Sequence, residues 1–385
     1  MEIYLDNCST TKPREEVIEE IVHFLRFEYG NPSSLHRLGF NIEKKIEEVR
    51  KTIGDFLKVD KNEIYFTSGG TESNNLAIQS IIERYKRVGK HIITTKIEHS
   101  SVLNPIKNYE EKGYEVTYLN VDSNGIFSLK ELKESIREDT ILISIMQVNN
   151  EIGSIQPIWE IKNILEERNS KALIHVDGIQ AFGKIPIDIG GWGVDTFSFS
   201  GHKIYGPKGI GGLYVNKNLK IAPIIFGGNQ EKGLRSGTEN VPGIMGLGKA
   251  VEIIENNFDE ERKRVANLKS YFIKKLEDEI HHIRINSPLG ENYSPYVLNI
   301  SFEYVRGEVL LHYLEDKGVY VSTGSACSSK GTEKSHVLSQ LGLSDTEIEG
   351  AIRICFSYEN TEEDIDYTIE VLKNSVEEIR QITMR

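Results

Sequence analysis

Four times between residues 63 and 167 a short apolar run is followed by a longer amphipathic one: 63–67 then 72–85, 91–95 then 101–112, 115–121 then 129–137, and 140–148 then 159–167. Short strands that alternate with covering helices are the mark of a mostly parallel sheet with helices on its faces, an α/β fold. Runs at 172–176, 194–200 and 211–215 extend that sheet, the last as a hairpin partner after Gly209. From Val241 the pattern changes to a long charged helix reaching Ile280. A strand at 297–302, a helix at 308–317, strands at 319–322 and 352–357 and a terminal helix at 362–379 follow, which is the order of a second, smaller α+β domain. The expected division is 15–258 for the large domain, with 1–14 and 259–385 forming the small one. A chain of 385 residues with 38% apolar content can fill two such cores.

Charge and composition narrow the partners. A net charge of -12 argues against a general nucleic-acid or anionic-membrane surface, because either requires a basic face. No window approaches the roughly 18 apolar residues of a membrane span, and the first residues lack a basic segment followed by an apolar one. The expectation is a cytoplasmic protein acting on small metabolites or on a locally basic protein partner. Cys8, Cys327 and Cys355 form no CxxC pair, so neither a disulfide framework nor a zinc site is suggested and reduced thiols are expected.

The strand ends carry the chemistry. Ser200-Gly201-His202-Lys203 closes one apolar run and Asp177 closes an earlier one, so a lysine and a carboxylate leave the same edge of one sheet. Each alone is more often a solvated lysine or a turn aspartate. Together they match what pyridoxal phosphate needs: a lysine to hold it as a Schiff base and a buried carboxylate to keep its pyridine nitrogen protonated. Thr67-Ser68-Gly69-Gly70-Thr71-Glu72-Ser73-Asn74-Asn75 lies between a strand and a helix, where small residues let backbone N–H groups approach a phosphate. Ser200 and His202 can add donors to it. Glu98-His99 follows another strand and places an imidazole over the same edge. Asn149-Asn150-Glu151 and Gln180 supply amides there for a phenolic oxygen or a substrate carboxylate.

Two segments of the second half complete the set. Cys327 lies in a small-residue stretch, Ser322 to Gly331, whose polar surroundings and nearby Lys330 favour a reactive thiolate over an inert one. In residues 351–357, period-two alternation puts Arg353, Cys355 and Ser357 on one strand face. Arg353 can grip a carboxylate through two parallel N–H donors.

With these residues in view, the chain resembles the cysteine desulfurases of the NifS/IscS type, among the fold-type I pyridoxal phosphate enzymes of the class V aminotransferase family. The resemblance covers essentially the whole length. It rests on Tyr4-Leu5-Asp6-Asn7, Tyr29-Gly30-Asn31-Pro32-Ser33-Ser34, Thr67 to Asn75, Glu98-His99, Val148-Asn149-Asn150-Glu151-Ile152-Gly153, His175-Val176-Asp177 with Gln180, Ser200 to Gly206, Arg235-Ser236-Gly237-Thr238 and Gly324 to Cys327. It implies a large domain with a mostly parallel seven-stranded sheet, a small domain carrying a mobile cysteine loop, and a homodimer. It implies that Lys203 carries pyridoxal 5'-phosphate, Asp177 pairs with its ring nitrogen, Gln180 bonds its phenolic oxygen and His99 stacks on it. Gly70, Thr71, Ser200 and His202 would hold its phosphate, joined by Thr238 from the other subunit, with Asn150 close to the cofactor. Asn150 and Arg353 would bind the carboxylate of L-cysteine, and Cys327 would receive the sulfur as a persulfide for an iron–sulfur scaffold or a tRNA-thiolation protein. No metal is implied. Cys8 stands where the family commonly has asparagine, Cys355 where it has serine, and a second arginine is replaced near Tyr358; the chain stops at Arg385, where well-known members continue into a scaffold-docking tail.

Rival functions are separated by the same residues. A related lyase, such as a selenocysteine lyase, or an aminotransferase of this fold would keep Lys203 and Asp177 but have no use for a mobile cysteine, so Cys327 argues against both. A cofactor-free sulfur carrier has no reason to hold Lys203, Asp177 and the phosphate loop together.

Overall fold

The alternating runs assemble as one sheet. The computed structural model describes residues 2–323 and 334–383, so Cys327 lies outside the described residues. A short strand β1 (Ile3–Tyr4) and the helices α1 (Glu15–Arg26) and α2 (Arg37–Leu57) come first. Then β2 (Ile64–Thr67), α3 (Gly70–Tyr85), β3 (His91–Thr95), α4 (Ser100–Glu110), β4 (Glu115–Leu119), α5 (Leu129–Ser135), β5 (Thr140–Met146), α6 (Ile161–Glu167) and β6 (Leu173–Asp177) alternate. β7 (Thr196–Ser200) and β8 (Gly211–Val215) close the series. The seven strands lie in the order β2-β8-β7-β6-β5-β3-β4, and β8 alone runs antiparallel to its neighbours. β3, β5, β7 and β8 are buried at every position, which is why their sequences read as continuous runs rather than as alternating ones.

Helix α7 (Val241–Glu279) spans about 58 Å at 1.5 Å per residue and serves two cores. Ile244, Leu247 and Val251 pack with Ile53, Phe182 and Phe199 on the large sheet. Val265, Leu268 and Phe272 pack instead with Ile3, Leu5, Phe302 and Ile354. That second cluster covers β9 (Ile283–Ile285), β10 (Val297–Phe302), α8 (Gly307–Glu315), β11 (Val319–Tyr320), β12 (Ala351–Cys355) and α11 (Glu362–Thr383), while α9 (His336–Gln340) and α10 (Asp345–Glu349) pack with Ile97, Met146 and Ile152. β12, β10 and β9 form an antiparallel sheet, and β1 joins β11, so the first residues of the chain pack with its last third.

One expectation is corrected here. Cys8 and Cys355 are joined as a disulfide with their Cα atoms 5.6 Å apart, so they are not reduced thiols. The cause is long-range. The Cys355 N–H donates to the Leu5 carbonyl at 2.7 Å and Asn7 Nδ2 donates to the Cys355 carbonyl at 2.9 Å, which seats the N-terminal segment on β12 and brings the two side chains together. Residues 347 apart in sequence leave no trace in local spacing. Both cysteines are buried, and Cys355 therefore turns its sulfur to Cys8 rather than to a cofactor.

Candidate active site

β3, β6 and β7 are parallel and end on one edge, which delivers His99, Asp177 and Lys203 to the crevice beyond their carboxyl ends. Asp177 is the last residue of β6 and pairs in register with Ser198 of β7, five residues before Lys203. Its carboxylate is fixed: Asn74 Nδ2 donates to Oδ2 at 2.8 Å and the Ile179 N–H donates to Oδ1 at 3.0 Å. Burial pushes this carboxyl up, against the opposing pull of His99 and Lys203. A buried carboxylate of that kind gains most from a cationic partner, which a protonated pyridine nitrogen is.

The Asn74 amide reaches further. It donates to Ser101 Oγ at 2.9 Å, and its oxygen lies 3.2 Å from His175 Nε2. The Ser101 N–H in turn donates to His99 Nδ1 at 3.1 Å, so that nitrogen is an acceptor and the ring proton sits on Nε2. Burial lowers the His99 pKa, against the opposing pull of Asp177, and so favours the neutral imidazole. Sequence reasoning missed Asn74, Ser101 and His175 as parts of the site. A signal existed for His175, which lies two residues before Asp177 and so on the same strand face.

The phosphate end also has its parts in place. Helix α3 starts at Gly70 with no side-chain cap, leaving first-turn N–H groups of Gly70 and Thr71 without one. Gly69 has φ of 148°, a backbone conformation that favours glycine, and a Cβ on Gly70 would come 2.1 Å from Ile179 Cδ1, so a larger residue there would displace the end of that side chain. Ser200 Oγ is buried and has no hydrogen-bond partner among the described residues. A phosphate with three acceptor oxygens fits this set of unmatched donors. His202, pushed down to about 4 by burial and by Lys203, is a neutral donor beside it. Arg235 grips Glu72 of the first turn of α3 at 2.6 Å, which fixes the segment leading to Thr238 near this helix start. Thr238 itself stays exposed.

Lys203 Nζ donates to the carbonyls of Cys8 at 2.5 Å and Ser9 at 2.8 Å. Arg353, 3% exposed, donates from Nη1 to the Asn150 carbonyl at 2.9 Å and from Nη2 to Asp6 Oδ1 at 2.8 Å and Ser9 Oγ at 2.7 Å. Its Nε is buried with no partner among the described residues. The segment from Asp6 to Ser9 thus ties the lysine to the arginine, a link that the sequence reading did not contain. Gln180 Nε2 donates to the same Cys8 carbonyl at 3.0 Å. Every candidate from the sequence within the described residues, Thr238 excepted, lies in or beside this crevice.

Glu98, next to His99, is fully enclosed. Thr95 Oγ1 and the Met146 N–H donate to its Oε1 at 2.7 and 3.0 Å, while Oε2 has no partner among the described residues. Burial pushes its carboxyl up to about 8. The unfolded chain releases this proton above its ordinary value near 4.5, whereas the native protein holds it until about pH 8. Native stability from Glu98 is therefore full below pH 4.5 and is lost as the pH rises through 8. Glu98→Gln, which keeps the Oε1 acceptor and cannot ionise, is expected to gain melting temperature relative to the parent as the pH is raised from 6 to 9. A difference that is flat with pH would show that Glu98 does not titrate in this window.

A family model described as aminotransferase class-V matches residues 3–368. The chain is 46% identical over 382 residues to the cysteine desulfurase IscS of Dictyoglomus turgidum, covering 99% of this chain and 96% of that protein. It is 45% identical over 381 residues to the cysteine desulfurase IscS of Methanosarcina thermophila, with 99% and 93% covered. Among solved structures, a NifS-like protein superposes with a TM-score of 0.92 at 40% identity, over 98% of this chain and 100% of that one. SspA in complex with cysteine superposes with a TM-score of 0.82 at 35% identity, over 93% and 100%.

Proposed function

The chain belongs to the class-V aminotransferase family, and from its site we infer that it is a pyridoxal phosphate-dependent cysteine desulfurase, which turns L-cysteine into L-alanine and leaves the sulfur on an enzyme cysteine. One observation carries this reading: Lys203, Asp177 and His99 meet at one sheet edge, across a short segment from an arginine with a buried, unmatched N–H. Gly70, Thr71, Ser200 and His202 would hold the phosphate, Asp177 would pair with the ring nitrogen and Gln180 would bond the phenolic oxygen, with His99 and Asn150 as further residues that would hold the cofactor. When bound, the cofactor supplies an electron sink for the charge left on Cα after its proton is removed. Arg353 orients the substrate through its carboxylate, using the Nε that has no partner among the described residues. Asn150 lines the same end. His99 Nε2 moves a proton at the ring, since its other nitrogen is committed to Ser101. Cys327, outside the described residues, attacks the substrate sulfur as thiolate. The carbon–sulfur bond breaks, a sulfur–sulfur bond forms, and Cα–Cβ leaves as alanine, so cysteine and one thiol become alanine and one persulfide.

The sulfur then passes to an acceptor protein of iron–sulfur cluster assembly or tRNA thiolation. No described helix is long and apolar enough to cross a membrane, and the reading places the enzyme in the cytoplasm. A homodimer is supported by the apolar surface of Leu25, Phe27, Leu35, Phe40 and Phe226, each more than 60% exposed, and by Thr238, which is exposed in its own chain. Two domains, 15–258 and 1–14 with 259–385, are supported by the two hydrophobic cores. The test is incubation of the cofactor-loaded protein with L-cysteine and a thiol reductant. Equal amounts of alanine and sulfide are expected; a keto acid in place of alanine would make it an aminotransferase.

A further inference from the structure

Lys184 is a buried cation without an anion. It is 3% exposed, lies in the turns after β6, and among the described residues its ammonium forms no ion pair. The charged or titratable groups that face it are Lys203, Arg353 and His202, with the Tyr296 ring at 5.9 Å, and none of these is acidic enough to balance it. Burying an ammonium in such company is unfavourable, and a methionine would fill the same space without desolvating a charge. Among the described residues the ammonium's one hydrogen bond is from Nζ to Gln180 Oε1 at 2.9 Å.

That contact decides which way the Gln180 amide points. Lys184 presents N–H donors and the Cys8 carbonyl presents only an acceptor, so Oε1 must face Lys184 and Nε2 must face the carbonyl that also takes Lys203. Turning the amide over would set donor against donor and acceptor against acceptor. We propose that Lys184 is a positioning residue which locks the Gln180 amide with its N–H group on the Lys203 side of the site. The proposal rests on the cofactor reading above. A donor held there stabilises an anionic ring oxygen, and a donor polarised by a neighbouring cation does so more strongly. Both effects oppose protonation of the nitrogen that joins Lys203 to the cofactor. Burial, with Lys203 and Arg353 beside it, pushes the Lys184 ammonium down to about 7, so the amine is readily neutralised; a neutral amine keeps N–H donors, so its contact with Gln180 Oε1 survives when that happens.

The experiment uses cofactor-loaded protein without substrate and follows its visible absorption band as the pH is changed. Uptake of pyridoxal phosphate and a borohydride-trappable band in the parent protein test the underlying reading separately; their absence would remove that reading, whatever Lys184 does. In Lys184→Met the midpoint of the band's pH transition is expected to rise by about one unit, a roughly tenfold change in proton affinity. Lys184→Arg, which keeps the donor, should restore most of it. In a Gln180→Ala background the effect of Lys184→Met should shrink by more than half. An unmoved midpoint in Lys184→Met, or a full shift in the Gln180→Ala background, would overturn the proposal.

Discussion

Lys203→Ala is expected to leave a folded protein that gains no borohydride-trappable absorption with pyridoxal phosphate and forms alanine from L-cysteine at least roughly 10³-fold more slowly than the parent. The lysine does two things in the structure. Its ammonium binds the Cys8 and Ser9 carbonyls, and its position, three residues after β7 ends, puts it beside Asp177. The first role is structural: losing the donor strands the Ser9 carbonyl, at about 1–3 kcal/mol if it stays dry, while the Cys8 carbonyl keeps its bond from Gln180 Nε2. A melting curve of the variant without cofactor measures that part alone. The second role is chemical, because among the described residues Lys203 is the amine that acts on Asp177; Lys184 is committed to Gln180. Near-normal alanine formation by Lys203→Ala, with its melting temperature lowered, would assign the lysine a structural role and remove the basis of the cofactor assignment.

Local periodicity carried the large sheet well. The runs at His91–Thr95 and Gly211–Val215 are strands over the lengths read from sequence, because strands buried on both faces need unbroken apolar side chains. Asp177 and Lys203 were legible for the same reason: in a parallel sheet the end of a run is the edge of the site. Contacts between distant segments were not. Nothing near Cys8 announces Cys355, and nothing near Asp6 announces Arg353, since both pairs exist only because the N-terminal segment crosses to β12. Asn74 was in view as part of a phosphate loop, yet its side chain points from the buried face of α3 to Asp177, Ser101 and His175. Its role depends on the depth of the helix against the sheet, which one sequence does not encode. Lys184 reads as an ordinary surface lysine until its burial is known.

The disulfide changes what is expected of the three sulfurs. Cys355 and Cys8 are bonded to each other, so neither offers a thiolate to a substrate sulfur, and Cys327 is the remaining cysteine of the chain. Cys327→Ser is therefore expected to bind the cofactor and L-cysteine as the parent does, to accumulate no enzyme persulfide and to release almost no alanine, because the carbon–sulfur bond has no acceptor. Cys355→Ser tests a different property. It opens a link across 347 residues and should lower stability by about 2–5 kcal/mol, as loss of a native disulfide does. It also frees the Cys8 thiol, which stays in the second hydrophobic core, on the segment that binds Lys203. Sulfur transfer to Cys327 should survive in that variant below its lowered melting temperature. Peptide mass spectrometry after a brief pulse of L-cysteine without reductant separates the cases, since a persulfide adds one sulfur to the peptide that carries it. An added sulfur on the Cys8 or Cys355 peptide of the parent protein, with the Cys327 peptide unchanged, would sink the assignment of Cys327 as the sulfur acceptor.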